Sequence, residues 1–132
     1  MTNSNEIAKA ARNKTRIHEF YEKIYNGHDL TALVTFISEN YTDHNPYIKG
    51  GRSALEAFLK HIFHVLPKIE FSIERLVAEN DFVVAHTMMR KTPSDSGSMI
   101  AEFFRLEDGI IVERWDVTMR VPNESNSEQL LI

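Results

Sequence analysis

The sequence predicts an α+β domain, and three observations predict it. Apolar residues recur at spacings of three and four through the first half, the period changes to two after Pro67, and short turns divide the alternating segments that follow. Helices first and sequential strands afterwards fit a curved antiparallel sheet covering three N-terminal helices on one face. A length of 132 residues suits one core. The reading is therefore one domain over 1–122, followed by a tail over 123–132 that either frays or docks on a neighbouring subunit.

The first helix is expected from about Ile7 to Asn26. Ile17, Phe20, Tyr21, Ile24 and Tyr25 form its apolar stripe, and Gly27 closes it. Asp29 caps a second helix with Leu30, Leu33, Val34 and Ile37 on one side, ending at Asn40. Tyr41 to Pro46 reads as a short strand entering a turn. Ser53 and Glu56 have capping-box spacing, and Leu55, Phe58, Leu59, Ile62, Phe63 and Leu66 mark a third helix that stops before Pro67. Strands follow around Ile69 to Val77, Phe82 to Met89, Met99 to Leu106 and Ile110 to Arg120.

Composition narrows the functional classes. Lys and Arg total 15 against 19 Asp and Glu, for a net charge of −4, and the basic residues are dispersed. Nucleic acid, which requires a concentrated positive field, is a poor partner. The absence of cysteine removes thiolate nucleophiles, thiolate metal sites and disulfides. No secretory h-region and no stretch near the ~18 apolar residues of a membrane span is present, so no membrane partner and a cytoplasmic location are expected. Gly-rich phosphate loops, dinucleotide fingerprints and nucleophile elbows are also missing, which argues against a nucleotide cofactor.

Register suggests which side chains meet. A three-residue turn Glu107-Asp108-Gly109 places Glu102 opposite Arg114 and Ile100 opposite Asp116, whereas a two-residue turn Asp108-Gly109 places Glu102 opposite Trp115. The first gives Glu102 a cation on its own face and is preferred. A two-residue turn at Asn80-Asp81 sets Val77 opposite Val84, Arg75 opposite His86 and Ile73 opposite Met88. One concave face would then carry Ile73, Val84, His86, Met88, Ile100, Glu102, Phe104, Val112, Arg114 and Asp116, an apolar bowl with a few polar groups, as small-molecule sites are.

Three segments carry a family likeness: Tyr41-Thr42-Asp43-His44-Asn45-Pro46, Asp81 to His86, and Phe103 to Val117. In their order and spacing the chain resembles the SnoaL-like polyketide-cyclase group of the nuclear transport factor 2-like superfamily, particularly its predicted aldol-condensation branch. The resemblance implies a cone-shaped, cystatin-like sheet with an interior pocket, frequent homodimers and no cofactor. It also implies a carboxylate on the last strand and a nearby histidine acting as acid and base on a carbonyl compound. Asp116 matches the carboxylate position, and His44 and His86 match the histidine-bearing segments. Met88 stands where the branch usually shows a second histidine, and Arg114 where it shows the histidine of Glu-His-Trp-Asp.

The candidate catalytic residues are accordingly Asp116, His86 and His44. Arg114, Glu102, Met88, Phe104 and Asn45 are expected to contact a small hydrophobic molecule, with Arg114 as the natural enolate stabiliser. Against this, Glu102, Arg114 and Asp116 can form a purely structural ion network, His44 can bond a turn, and His86 can be a core histidine. His61 and His64 are three apart on a helix but opposite its apolar side, which favours a solvated surface over a metal site. Trp115 belongs on the face away from Asp116, with Glu113 and Val117, and either anchors a dimer or is covered by a loop or helix. Two functions remain: a cofactor-independent lyase or isomerase, and a non-catalytic dimeric pocket protein. A protein-binding adaptor needs a substantial exposed apolar patch, which the sequence does not clearly display.

Overall fold

The fold was obtained as a computed structural model and is described for residues 3–122; the expected tail over 123–132 lies outside the described residues. Helix α1 spans Ser4–Phe20 and runs into a wider π turn, Tyr21–Asn26. It begins three residues earlier than its apolar stripe implies. Asn3 accepts from the Glu6 amide at 2.9 Å while the Glu6 carboxylate accepts from the Asn3 amide at 3.3 Å, a reciprocal cap that satisfies two orphan donors. The buried side chains Ile17, Phe20, Tyr21, Ile24 and Tyr25 are those of the predicted stripe.

The second helix is shorter than expected. Asp29 does cap it, accepting from Thr31 N at 3.2 Å, but a 3₁₀ turn at Leu30–Ala32 leads into α2 over only Leu33–Phe36. Ile37 already has strand angles and opens β1, Ile37–Asp43, because this segment pairs in parallel with the last strand. Long-range pairing here overrides a local helical pattern. Helix α3 spans Gly51–Val65 and starts from Gly50 without a side-chain cap, so the expected Ser53 and Glu56 capping box is not used. At Gly51, with φ of 72°, a Cβ would lie 2.6 Å from the Glu39 carbonyl oxygen. Only glycine lets α3 begin this close to β1.

Strands β2 (Glu70–Glu79), β3 (Phe82–Arg90), β4 (Ser98–Glu107) and β5 (Ile110–Arg120) form the antiparallel meander, giving a sheet in the order β1-β5-β4-β3-β2. Its inner face packs on α1 and α3 through a core that includes Val83, Ala85, Phe104, Leu106 and Ile111. Phe20 makes edge contacts with Tyr25, Phe36 and Phe104 at centroid separations of 4.8, 5.7 and 5.8 Å. On the edge strand, Asn26 donates to the Phe71 carbonyl (2.9 Å) and accepts from the Phe71 amide (2.8 Å). Among the described residues no helix is long and apolar enough to cross a membrane.

Two bulges correct the expected registers. The β4–β5 turn is the two-residue Asp108-Gly109, both with positive φ as a hairpin of this length requires. An extra residue at Val112 then shifts the pairing, so that Arg105 meets Glu113, Phe104 meets Arg114 and Glu102 meets Asp116. The expected partners of Glu102 and Ile100 were therefore displaced by two residues, which leaves the face of each side chain unchanged. In β2, Val77–Val84 and Arg75–His86 pair as expected, but Glu74 is bulged and Ile73 meets Thr87, not Met88. The inner stripe passes from Phe71 and Ile73 to Leu76 and Ala78. Val77, on the opposite face, is 59% exposed.

Candidate functional site

The site grows from the alternation of β5. Arg114 and Asp116 point inward, toward Glu102 on β4, Asp43 at the end of β1 and Asn45 in the loop beyond. The Arg114 guanidinium is buried and bonds three carboxyl groups: Nε donates to Glu102 Oε2 at 2.6 Å, Nη1 to both oxygens of Asp43 at 3.1 Å, and Nη2 to Asp116 Oδ2 at 2.9 Å. Burial opposes its charge, but Tyr25, Glu102, Asp43 and Asp116 together hold its pKa well above the ordinary guanidinium value. Arg114 remains a cation at any working pH.

Each carboxyl group has further donors. Tyr21 and Tyr25 donate their hydroxyls to the two oxygens of Glu102, and Thr87 donates to the Tyr21 oxygen at 3.1 Å. Burial, and then the adjacent Glu102 charge, raises the Tyr21 phenol. Burial likewise raises that of Tyr25, with Arg114 opposing and Glu102 reinforcing. Both stay protonated and act as donors. Asp43 accepts from Tyr41 at 2.8 Å and from the Asn45 amide at 2.8 Å, and the Tyr41 phenol is raised by burial and by Asp43. Among the described residues Asp116 is bonded by Arg114 and the Asn45 side-chain amide alone, the latter at 3.2 and 3.3 Å. Its side chain is 16% exposed, against 1% for Asp43 and 2% for Glu102. Asp116 is thus the least enclosed and least saturated acid of the cluster.

This cluster forms one end of a cavity of about 190 Å³ between α3 and the sheet. Tyr25, Asn45, Glu102, Arg114, Asp116 and Thr118 supply the polar lining. Phe58, Leu59 and Ile62 of α3, with Ile69, Phe71, Met89 and Ile100, supply apolar walls. Four expected site residues lie elsewhere. His86 is on the outer face, its Nδ1 against Arg75 Nη1, because the Glu74 bulge breaks the stripe from which its inward direction was reasoned. Met88 also faces outward and packs with Met99 and Val121; Met89, one residue later, lines the cavity. Phe104 faces inward but is fully buried in the core against Phe20 and Tyr21.

His44 is the fourth. Asp43 turns into the cluster, so its neighbour turns out, where the imidazole stacks on Trp115 (4.7 Å, 4°) and Nε2 meets Glu113 Oε2 at 2.8 Å. Trp115 occupies the face away from Asp116, as expected, with Phe82 6.0 Å from it. This outer face also exposes Val77, Phe103, Val117 and Met119, an apolar surface the sequence did not clearly display. His61 and His64 are exposed on α3. Tyr21, Tyr25 and Asp43 were not singled out as site residues. Two hydroxyls four apart on an apolar stripe are a readable signal, since a buried phenol needs a partner; Asp43 carries no such signal.

Comparison with known proteins follows the same lines. A model of the SnoaL-like domain matches residues 17–114. A loop-truncated variant of IdmH superposes with a TM-score of 0.71 at 20% identity, covering 90% of this chain and 98% of that one; wild-type IdmH is a Streptomyces antibioticus protein. A SnoaL-like polyketide cyclase from Agrobacterium tumefaciens gives 0.69 at 18% identity, covering 89% and 95%. A SnoaL-like protein of unknown function from Burkholderia thailandensis gives 0.70 at 18%, covering 83% and 95%. At these identities the structural likeness carries the fold alone. A search of curated proteins returns no match.

Proposed function

This chain belongs to the SnoaL-like domain family, and from its buried acid cluster we propose a cofactor-independent proton transfer on a small carbonyl compound. The observation that carries the reading is Asp116, a carboxylate at the polar end of an otherwise apolar cavity, with fewer donors and more access than Glu102 or Asp43. As general base it takes a proton from the carbon next to the carbonyl, leaving an enolate. For the developing oxygen the cavity lining offers the Asn45 side-chain amide, whose contacts to Asp116 are long, and the Thr118 hydroxyl. Arg114, committed to three carboxyl groups, serves as their counter-ion and orients Asp116; that replaces its expected role as enolate donor.

A second reading, a non-catalytic pocket protein, is favoured by one observation. Among the described residues no histidine lines the cavity, so the acid and base pair implied by the family likeness has one member here. Deuterium exchange of acetophenone's α-hydrogens, followed by NMR, separates the two. Positioned acid–base groups contribute roughly 10²–10⁴ in rate, so Asp116→Asn should slow exchange about a hundredfold or more while leaving ketone binding intact. Equal exchange in wild type and variant assigns the protein to binding alone.

The exposed apolar outer face formed by Val77, Phe103, Val117 and Met119 supports a homodimer formed through the sheet. Sedimentation equilibrium should give twice the chain mass, and a monomer at micromolar concentration would remove this part of the reading.

A further inference from the structure

We infer that the cavity selects neutral carbonyl compounds carrying a single ring, and excludes both fused-ring compounds and carboxylates. The inference rests on the carbonyl reading above and adds size and charge to it. Size comes first. An apolar hollow of ~150 Å³ is enough to hold one benzene ring, whereas pockets for drug-sized ligands run to roughly 300–1,000 Å³. At about 190 Å³, and open to solvent on one side, this cavity has room for one ring and its carbonyl group. Its walls are fixed by packed elements: Phe58, Leu59 and Ile62 on one side, and Phe71, pressed on Tyr25 at 4.8 Å, on the other. A second fused ring directed along α3 would meet Phe58 or Ile62.

Charge is the second filter. The charged residues that line the cavity are Glu102, Asp116 and Arg114, and the guanidinium is already shared among Glu102, Asp116 and Asp43. Among the described lining residues, no other cation is available to a carboxylate or phosphate. At the polar end an anionic substituent would sit beside two acids without a partner, which is how a site rejects a ligand that otherwise fits. A neutral carbonyl oxygen needs only the Asn45 amide or the Thr118 hydroxyl.

Calorimetric titration of wild type and Asp116→Asn with acetophenone, acetonaphthone and para-acetylbenzoate tests both filters without requiring turnover. Acetophenone should bind both proteins; to wild type the fused-ring ketone and the acid should bind about tenfold or more weakly, and Asp116→Asn should narrow that gap for the acid but not for the fused-ring ketone. Phe58→Ala should then gain acetonaphthone by about tenfold without gaining para-acetylbenzoate. Ile62→Ala serves the same purpose if Phe58→Ala does not fold by circular dichroism. Comparable binding of either larger or charged compound to wild type, or binding of none of the three, overturns the inference. If selectivity holds in binding while α-hydrogen exchange is absent, the catalytic reading fails and this one stands. Exchange of all three compounds alike would do the reverse.

Discussion

Two charged clusters share the same three stretches of chain and lie on opposite faces of one sheet. Asp43, Arg114 and Asp116 meet inside with Glu102; His44, Glu113 and Trp115, their immediate neighbours in sequence, meet outside with Arg105. Inside, an acid meets arginine, tyrosine or amide donors and very little water. Outside, the His44 side chain is 41% exposed and Glu113 bridges His44 and Arg105 at 2.8 and 2.9 Å. Both clusters centre on arginine–carboxylate pairs, but the inner one adds tyrosine donors and loses most of its solvent. The inner cluster is costly to disturb because its partners have nowhere else to turn, and the outer one is held loosely because water competes for every bond.

That contrast fails if Arg114 can be replaced cheaply. Arg114→Met leaves three acids facing one another without a cation, and equilibrium urea unfolding should lose about 3–5 kcal/mol. A loss no larger than a surface substitution gives would show that the inner acids are already solvated. Tyr25→Phe is the next largest, removing one donor from buried Glu102, for about 1–3 kcal/mol. The raised phenols of Tyr21 and Tyr25 sharpen this with pH. A folded pKa above the unfolded value means stability that is complete below about pH 10 and falls as pH rises further, because only the unfolded chain releases those protons. Wild type should therefore destabilise in alkali more steeply than Tyr25→Phe, with tyrosinate absorbance from the buried phenols appearing only as the protein unfolds.

The smallest effect belongs outside. Glu113 has its pKa lowered by its hydrogen bond to His44 and then by Arg105, so its contribution is present at neutral pH and fades as pH falls below the ordinary value of 4.5. Glu113→Gln should shift the melting temperature by no more than a few degrees at pH 7, and the gap should close toward pH 3. A gap that widens in acid would reverse the assignment.

Much of this architecture was legible from alternation and turn chemistry. The three helices, the four strands after Pro67, the turn at Asn80-Asp81 and the opposite facing of Trp115 and Asp116 all follow from local pattern. What escaped was set by distant parts of the chain. The bulges at Glu74 and Val112 leave no mark in composition, and each decides which neighbours a side chain meets. For β5 the assumed turn and the unseen bulge differed by an even number of residues, so Asp116, Arg114 and Glu102 stayed on the right face. For β3 the apolar stripe changed parity at Glu74, and the inward directions of His86 and Met88 were lost with it. Asp43 was hidden because β1 earns its place only through pairing with β5.

Strand β2 ends the sheet, and a terminal strand offers its free backbone groups to any chain that can lie alongside. The Asn26 amide occupies both the N–H and the C=O of Phe71, standing in at that point for the missing neighbour. One side chain thereby closes that position to a foreign strand, at the point where the cavity wall meets the rim.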